Sequence, residues 1–286
     1  MNPTLRPVIS RCTPRIAPAP RIVLRHHTNK PRIFAQQFLY TRHARTMSTT
    51  VSIPTTKLEE LQKYTACDVS DALLKLKVPG AGFVADLNLY SPLALTQPAT
   101  VNEQAPVTVH PVSTVLFTPK DESAPETGRP AANVPKDAHW VDLAVPGTFA
   151  VLKQPLGQKN AVCGGIMALR MKLLGVKGIV VAGRVRDLVE LRSTELPIWA
   201  TGTSTVGSGG SSVPWATQVP VEINGVTVNP GDLAVHDPTN GVVIIPQDKV
   251  NQLLELLPKL TSADDKAKAD VAEGVSVKEA FKRHRG

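Results

Sequence analysis

The chain has 286 residues, 42% of them hydrophobic and 4% aromatic, and its three cysteines are too few and too scattered for a disulfide framework or a cysteine-built zinc site. The formal net charge of +8 is local: nine of the 32 Lys and Arg lie in residues 1–50, which hold no Asp or Glu, leaving 23 basic against 24 acidic residues in the rest. A near-neutral body lacks the clustered basic face that nucleic-acid binding needs, and no apolar run approaches the length of a bilayer span, so neither nucleic acid nor membrane is an expected partner.

Residues 1–50 are Arg-rich, acid-free and broken by Pro3, Pro7, Pro14, Pro18 and Pro20. That composition matches a mitochondrial transit peptide better than a secretory signal, and Arg32-Ile33-Phe34 before Ala35 resembles a matrix-peptidase cleavage site. A disordered basic extension is the alternative. The expected location is the mitochondrial matrix, or the cytosol if translation starts at Met47. Residues 51–286 are expected to form one domain, because about 230 residues suffice for a full core and no linker divides them.

A short helix is predicted over residues 56–61. Thr65-x-x-Asp68 is a capping box for the next helix, whose apolar face is Val69, Ala72, Leu73 and Leu76 and which Pro79-Gly80 ends. Asp68 and Asp71 read as helix-terminus acids rather than metal ligands. Residues 94–115, β-branched and punctuated by Pro, predict strands near a rim, and residues 118–137 read as an exposed loop. His139 and Asp142, read on an extended segment, point to opposite faces and do not make a catalytic pair.

Residues 160–197 are the stretch around which the rest is read. A Gly164-Gly165 turn leads into a segment with helix-like apolar spacing at Ile166, Leu169 and Leu173, then a Gly175/Gly178 break, an apolar strand and Arg186-Asp187. Open α/β sheets hold ligands past the C-terminal ends of such strands, and adjacent opposite charges there suit an anion and a cation bound together. Two glycines ahead of a helix let N–H groups meet an anion, or simply allow a tight turn. Asp187-x-x-Glu190 is also a capping-box pattern, which would account for Asp187 but not for Arg186. Cys163 reads as a buried small hydrophobe, and Lys172 and Lys177 fall in segments expected to be solvated.

Farther on, residues 201–212 are rich in Gly, Ser and Thr, a flexible connection or a phosphate loop without the GxxxxGK[ST] pattern. Asn224-Gly225 marks a hairpin. An amphipathic helix is predicted over residues 250–260, and Ser276-x-x-Glu279 caps a last basic helix. Asp264 and Asp265 lie between them with no evident partner in their own chain. Alternating helices and strands argue α/β, with a central sheet or barrel flanked by helices.

CGGIMALRMKLLGVKGIVVAGRVRDLVEL, followed by VNPGDLAVHDPTNGVVIIP, resembles the 4-hydroxy-4-methyl-2-oxoglutarate aldolase family, which also takes in oxaloacetate decarboxylases and the regulator of ribonuclease E activity A. HWVDL, GQKNAV and the RSTELP string bring it closest to the fungal branch. The resemblance implies a swivelling β/α-type fold and a class II, metal-dependent lyase that cleaves the C3–C4 bond of small 2-keto diacids to give pyruvate. It implies that Arg186 contacts substrate with Gly164, Gly165, Ile166 and Met167, and that Asp187 carries Mg²⁺, Mn²⁺ or another divalent metal, largely through water. Where aldolase members often have an acid, this chain has Gly165, which resembles the decarboxylase branch with Glu190 near the metal instead. A homotrimer, or a hexamer of two trimers, is implied as well. The alternative within the family is a non-catalytic protein-binding regulator.

Overall fold

The computed structural model describes residues 53–96, 105–121 and 128–285, so the leader expected over residues 1–50 lies outside the described residues. Helices α1 (Thr55–Leu61) and α2 (Ala66–Lys75) come first. The Thr65 hydroxyl accepts the Asp68 N–H at 3.2 Å, and the Asp68 carboxylate accepts the Thr65 N–H at 2.9 Å. This reciprocal cap stabilises α2 by about 1 kcal/mol and gives Asp68 a structural role.

After β1 (Asn88–Ser91) and β2 (Thr108–Pro119) come β3 (Phe149–Lys153), β4 (Ala161–Cys163), α3 (Gly165–Leu173), β5 (Gly178–Val185), α4 (Leu188–Ser193) and β6 (Ile198–Thr203). The chain continues through β7 (Ser212–Thr217), the hairpin β8 (Val221–Ile223) and β9 (Val226–Val228), then β10 (Leu233–Asp237), β11 (Gly241–Ile245), α5 (Val250–Ala272) and α6 (Val277–His284). Among the described residues nine strands share one curled sheet in the order β1-β6-β5-β3-β2-β10-β11, with β4 on β5 and β7 on β2, and helices flank it. Its centre, β2-β3-β5-β6, is parallel, which is why β3 and β5 are continuous apolar runs buried on both sides. The fold is thus mixed α/β, as the alternation of elements predicts. No helix of the described residues is long and apolar enough to cross a membrane.

Strand periodicity sorts β5 onto two cores. Ile179 and Val181 pack with Trp140, Leu152, Ala168 and Met171 under α3, whereas Val180 and Ala182 pack with Val151, Trp199 and the β8–β9 hairpin. A third cluster joins Val69 and Leu73 of α2 to Leu253 and Leu257 of α5 across β10 and β11. The hairpin forms as its turn residues require, with Asn224 and Gly225 at φ 49° and 83°.

Several expectations change. Residues 93–96 are a 3-10 turn and 97–104 lie outside the described residues, while β2 is central rather than at a rim. Pro111 is tolerated there because it ends the pairing with β10 just before the pairing with β3 begins at Val112. The apolar spacing that marks α3 is not its buried face: Ile166, Leu169 and Leu173 are 72%, 51% and 72% exposed, and the small Gly165 and Ala168 with Met171 meet the sheet. The segment around HWVDL is a 3-10 turn, Trp140–Leu143, not an extended strand. Helix α5 runs past residue 260 through Pro258 to Ala272. Asp264 and Asp265 do have partners in their own chain, Arg285 at 2.6 Å and Lys268 at 3.4 Å.

Lys153 ends β3, and β4 takes its place beside β5 at Arg184 and Val185. Gln154, buried at the break, donates to the Asn160 carbonyl at 2.7 Å and accepts the Arg184 N–H at 2.9 Å, so both ends of the outgoing loop are pinned. The candidate site sits at this break, past the C-terminal ends of the parallel strands.

Candidate active site

Arg186 and Asp187 follow directly on β5, and the Arg186 N–H donates to the Cys163 carbonyl at 3.0 Å, tying the ends of β5 and β4 together. Asp187 turns the chain with left-handed dihedrals, φ 60° and ψ 50°, which Asp tolerates better than most residues. Its carbonyl begins α4 by accepting the Leu191 N–H at 2.9 Å, but its side chain caps nothing on that helix. The carboxylate turns back instead. Oδ2 accepts the Gly165 N–H at 3.3 Å and lies 3.3 Å from Arg186 Nε. The capping-box reading of Asp187-x-x-Glu190 is therefore overturned: the left-handed turn aims the carboxylate at the first residue of α3, where the helix dipole favours negative charge.

That geometry explains the glycine pair. A Cβ on Gly164 would stand 2.7 Å from Asp187 Oδ2 and 3.1 Å from Arg186 Cγ, and one on Gly165 would run into the Glu190 carboxylate and Cβ. The glycines make room for Arg186, Asp187 and Glu190 to converge, while the Gly165 N–H is occupied by the protein's own Asp187.

Arg186, Asp187, Gly164 and Met167 face an open cleft of about 130 Å³. Trp140 and Val162 form an apolar wall, with Gly207 and Ser208 opposite, and Ile166 lies at the cleft with most of its side chain in solvent. Gly165 and Glu190 stand just behind this lining. At 42% and 38% side-chain exposure, the Arg186–Asp187 pair contributes little to stability, about 0–1 kcal/mol, so its placement is not a folding requirement. Cys163 is buried beneath the cleft, and burial, with Asp187 nearby, pushes its thiol up to about 12. It is inert as a nucleophile.

Among the described residues no group of three or more His, Cys, Asp or Glu converges. The acids near the cleft are Asp187 and Glu190, and Asp187 Oδ1 and both Glu190 carboxylate oxygens accept no hydrogen bond among the described residues.

Sequence reasoning missed His139, Trp140, Gly207 and Ser208 at the cleft. His139 and Asp142 are indeed apart, for a different reason than strand alternation: Asp142 binds Arg170 Nε at 2.6 Å, while His139 caps the 3-10 turn by accepting the Val141 N–H on Nδ1 at 3.3 Å. The run over residues 201–212 is mostly ordered into the end of β6 and a 3-10 turn, Ser208–Gly210, and its glycine content was the one available signal that it approaches another group. A Cβ on Gly207 would stand 3.1 Å from Arg186 Nη1.

The family model described as "RraA-like: Aldolase/RraA" matches residues 66–244. The chain is 26% identical over 224 residues to Protein DlpA of Legionella pneumophila, covering 78% of this chain and 33% of that protein. It is 28% identical over 138 residues to a Halalkalibacterium halodurans protein named "Putative 4-hydroxy-4-methyl-2-oxoglutarate aldolase", covering 48% of this chain and 65% of the relative. The chain thus spans less than two thirds of the length of these relatives. Among solved structures, Streptomyces coelicolor RraAS2, described as an unusual member of the RNase ES inhibitor RraA protein family, shares the fold: TM-score 0.55, 24% identity, 78% of this chain and 98% of that one.

Proposed function

The chain belongs to the Aldolase/RraA family, and from that premise we propose that it is a lyase that cleaves the C3–C4 bond of small 2-keto diacids to release pyruvate, with Mg²⁺ or Mn²⁺ as cofactor. The observation that carries this reading is an Arg186–Asp187 pair held at a cleft by backbone strain and glycine clearance, with a carboxylate oxygen left without a partner among the described residues. The contact to the Gly165 N–H uses only Oδ2 and leaves Oδ1 for a ligand.

The residues present fit such a cation. Two carboxylates without a third protein ligand suit a hard ion that keeps most of its water, and not a zinc site of three or four side chains. Asp187 and Glu190 would hold it, and when bound it supplies Lewis-acid polarisation of the keto oxygen.

Arg186 presents a planar fork to the substrate carboxylate or to the oxygen where enolate charge develops. Trp140, Val162 and Met167 limit water at that oxygen. In oxaloacetate, cleavage of C3–C4 releases CO2, leaves the electron pair on C3 as the pyruvate enolate, and a proton at C3 completes pyruvate. In 4-hydroxy-4-methyl-2-oxoglutarate the same cleavage also requires the C4 hydroxyl to give its proton to a base, and both products are pyruvate. With Nδ1 of His139 accepting the Val141 N–H, the neutral ring carries its proton on Nε2 and offers a donor rather than a base. Decarboxylation needs no base at the cleavage step, so these residues support it best.

The reading extends to assembly and location. Leu169 and Leu173 on α3, and Val189 on α4 at 82% exposure, form an apolar surface next to Ile166 at the cleft, which supports a homo-oligomer, a trimer or two stacked trimers, with the cleft at a subunit boundary. The composition of residues 1–50 supports delivery to the mitochondrial matrix. A non-catalytic regulator would use the same apolar surface to bind another protein, and activity separates the two. The experiment is pyruvate release from oxaloacetate and from 4-hydroxy-4-methyl-2-oxoglutarate, with added Mg²⁺ or Mn²⁺ and with EDTA. Release that EDTA abolishes supports the lyase, and no release above the protein-free rate from either substrate overturns it.

A further inference from the structure

The break between β3 and β4 opens a second cleft, of about 140 Å³, on the other face of the sheet from Arg186. Alternation along the strands puts it there: Lys153, Ala182 and Thr201 follow Val151, Val180 and Trp199 by two residues, on the face covered by the β8–β9 hairpin, and Ile223 of that hairpin lines the cleft. Among the described residues, the charged side chains in its lining, Lys153, Lys159 and Arg184, are all cationic.

Lys153 is half-buried, and burial pushes its ammonium below the usual lysine range. It makes no hydrogen bond or ion pair among the described residues; Glu222, exposed on β8, acts on it only from beyond ion-pair distance. Arg184 spends one N–H of its guanidinium on the Thr203 carbonyl at 2.9 Å. Lys159 stands exposed at the rim, also without a partner among the described residues. The loop that carries it is fixed in shape: Gly157 bends it at φ 79°, and the Gln158 amide donates to the Ser211 carbonyl at 2.8 Å. A half-buried cation without an acceptor is unfavourable unless something supplies the opposite charge. Here the loop holds one such cation, Lys153, beside Arg184 and the exposed Lys159.

We propose that this cleft binds a small dianion, either a phosphate or a short dicarboxylate, with Lys153 as its buried anchor, Arg184 as a second donor and Lys159 closing the rim. Both ligand types present two negative oxygens to the same cations, and the cleft volume admits either. Because Gln154 and Asn160 connect this loop to β4, which floors the Arg186 cleft, the two sites share a wall without sharing a charged side chain.

The test is calorimetric titration of the full chain carrying Arg186→Gln, so that the first cleft's cation takes no part, with inorganic phosphate in one arm, succinate in a second and chloride as the monoanion control. Saturable binding of one dianion per chain is expected, weakened about tenfold by adding Lys153→Gln and severalfold by adding Lys159→Gln, an exposed change that leaves folding unaffected. The tighter of the two dianions identifies the source. Weakening by either variant, with unchanged thermal unfolding, supports the site. No saturation by either dianion up to about 10 mM, or affinity that neither substitution changes, overturns it, whatever the outcome for pyruvate release.

Discussion

The Asp187 carboxylate accepts the N–H of Gly165, twenty-two positions earlier in the chain, at 3.3 Å. That single contact joins the exit of β5 to the entrance of α3 and orients the acid that pairs with Arg186. It also separates the effects of removing charge from those of removing structure.

Asp187→Asn keeps a short side chain at ease in the left-handed turn and can still accept the Gly165 N–H. Thermal unfolding is expected to stay cooperative, within about 1 kcal/mol of the parent, while metal-stimulated pyruvate release falls by about 100-fold or more. Turnover against Mg²⁺ concentration checks this, and an unchanged metal response would remove Asp187 from the site.

Arg186→Lys preserves charge but not the planar fork. A fall of about 100-fold in kcat/KM is expected, because an ammonium does not reproduce the planar two-donor fork of the guanidinium. Near-parental kcat/KM for the variant would reduce Arg186 to long-range attraction.

Gly165→Ala places a methyl group against Glu190 and is expected to cost about 1–3 kcal/mol of stability. In a Glu190→Gly background, which removes the Cβ that the new methyl group would meet as well as the carboxylate, the cost of the same substitution should shrink. A double-mutant cycle by denaturant unfolding measures the coupling; additive effects would mean that Glu190 does not press on Gly165 in solution.

His236 is buried against Phe149 and Trp199, and burial pushes its imidazole down to about 4; His110 adds to the depression and Asp237 opposes it. A folded pKa below the unfolded value means that the unfolded chain binds more protons between about 6.5 and about 4, so stability is full above this window and declines as pH falls through it. The decline attributable to His236 is on the order of 3 kcal/mol. His236→Phe should flatten the stability–pH curve over that window relative to the parent, and parallel curves would refute the assignment.

Leu169→Glu with Leu173→Glu charges the exposed stripe of α3 without touching its buried face. Light scattering over a dilution series, run beside the activity assay, is expected to show loss of the oligomer and of pyruvate release together. A fully active monomer would sink the shared-site arrangement.

What the sequence made legible follows physical range. Thr65 with Asp68 and Asn224 with Gly225 act over two to four residues, and both formed as their local chemistry requires. The Arg186-Asp187 exit was legible for the same reason, since a buried apolar strand ends beside it. Which side of α3 would be buried was not, because that choice depends on how closely Gly165 and Ala168 let the helix approach the sheet. Trp140 and Gly207 reach the cleft from distant segments, and nothing in their own neighbourhoods encodes the meeting. Glu190 stands between these cases: its conflict with any side chain at position 165 is invisible along the chain and plain in space.

Cys163 gives the cleft a built-in timer. Cys163 is 1% exposed at the end of β4, at the Arg186 cleft, and burial holds its thiol proton up to about 12, so a thiol reagent reaches it only when the structure around the cleft opens locally. Exposed Cys67 on α2 supplies the unprotected reference within the same chain. The ratio of the two labelling rates therefore reads the free energy of local opening at the site, separately from global unfolding. A ligand that closes the cleft should lengthen the Cys163 lifetime alone, so occupancy becomes measurable without turnover.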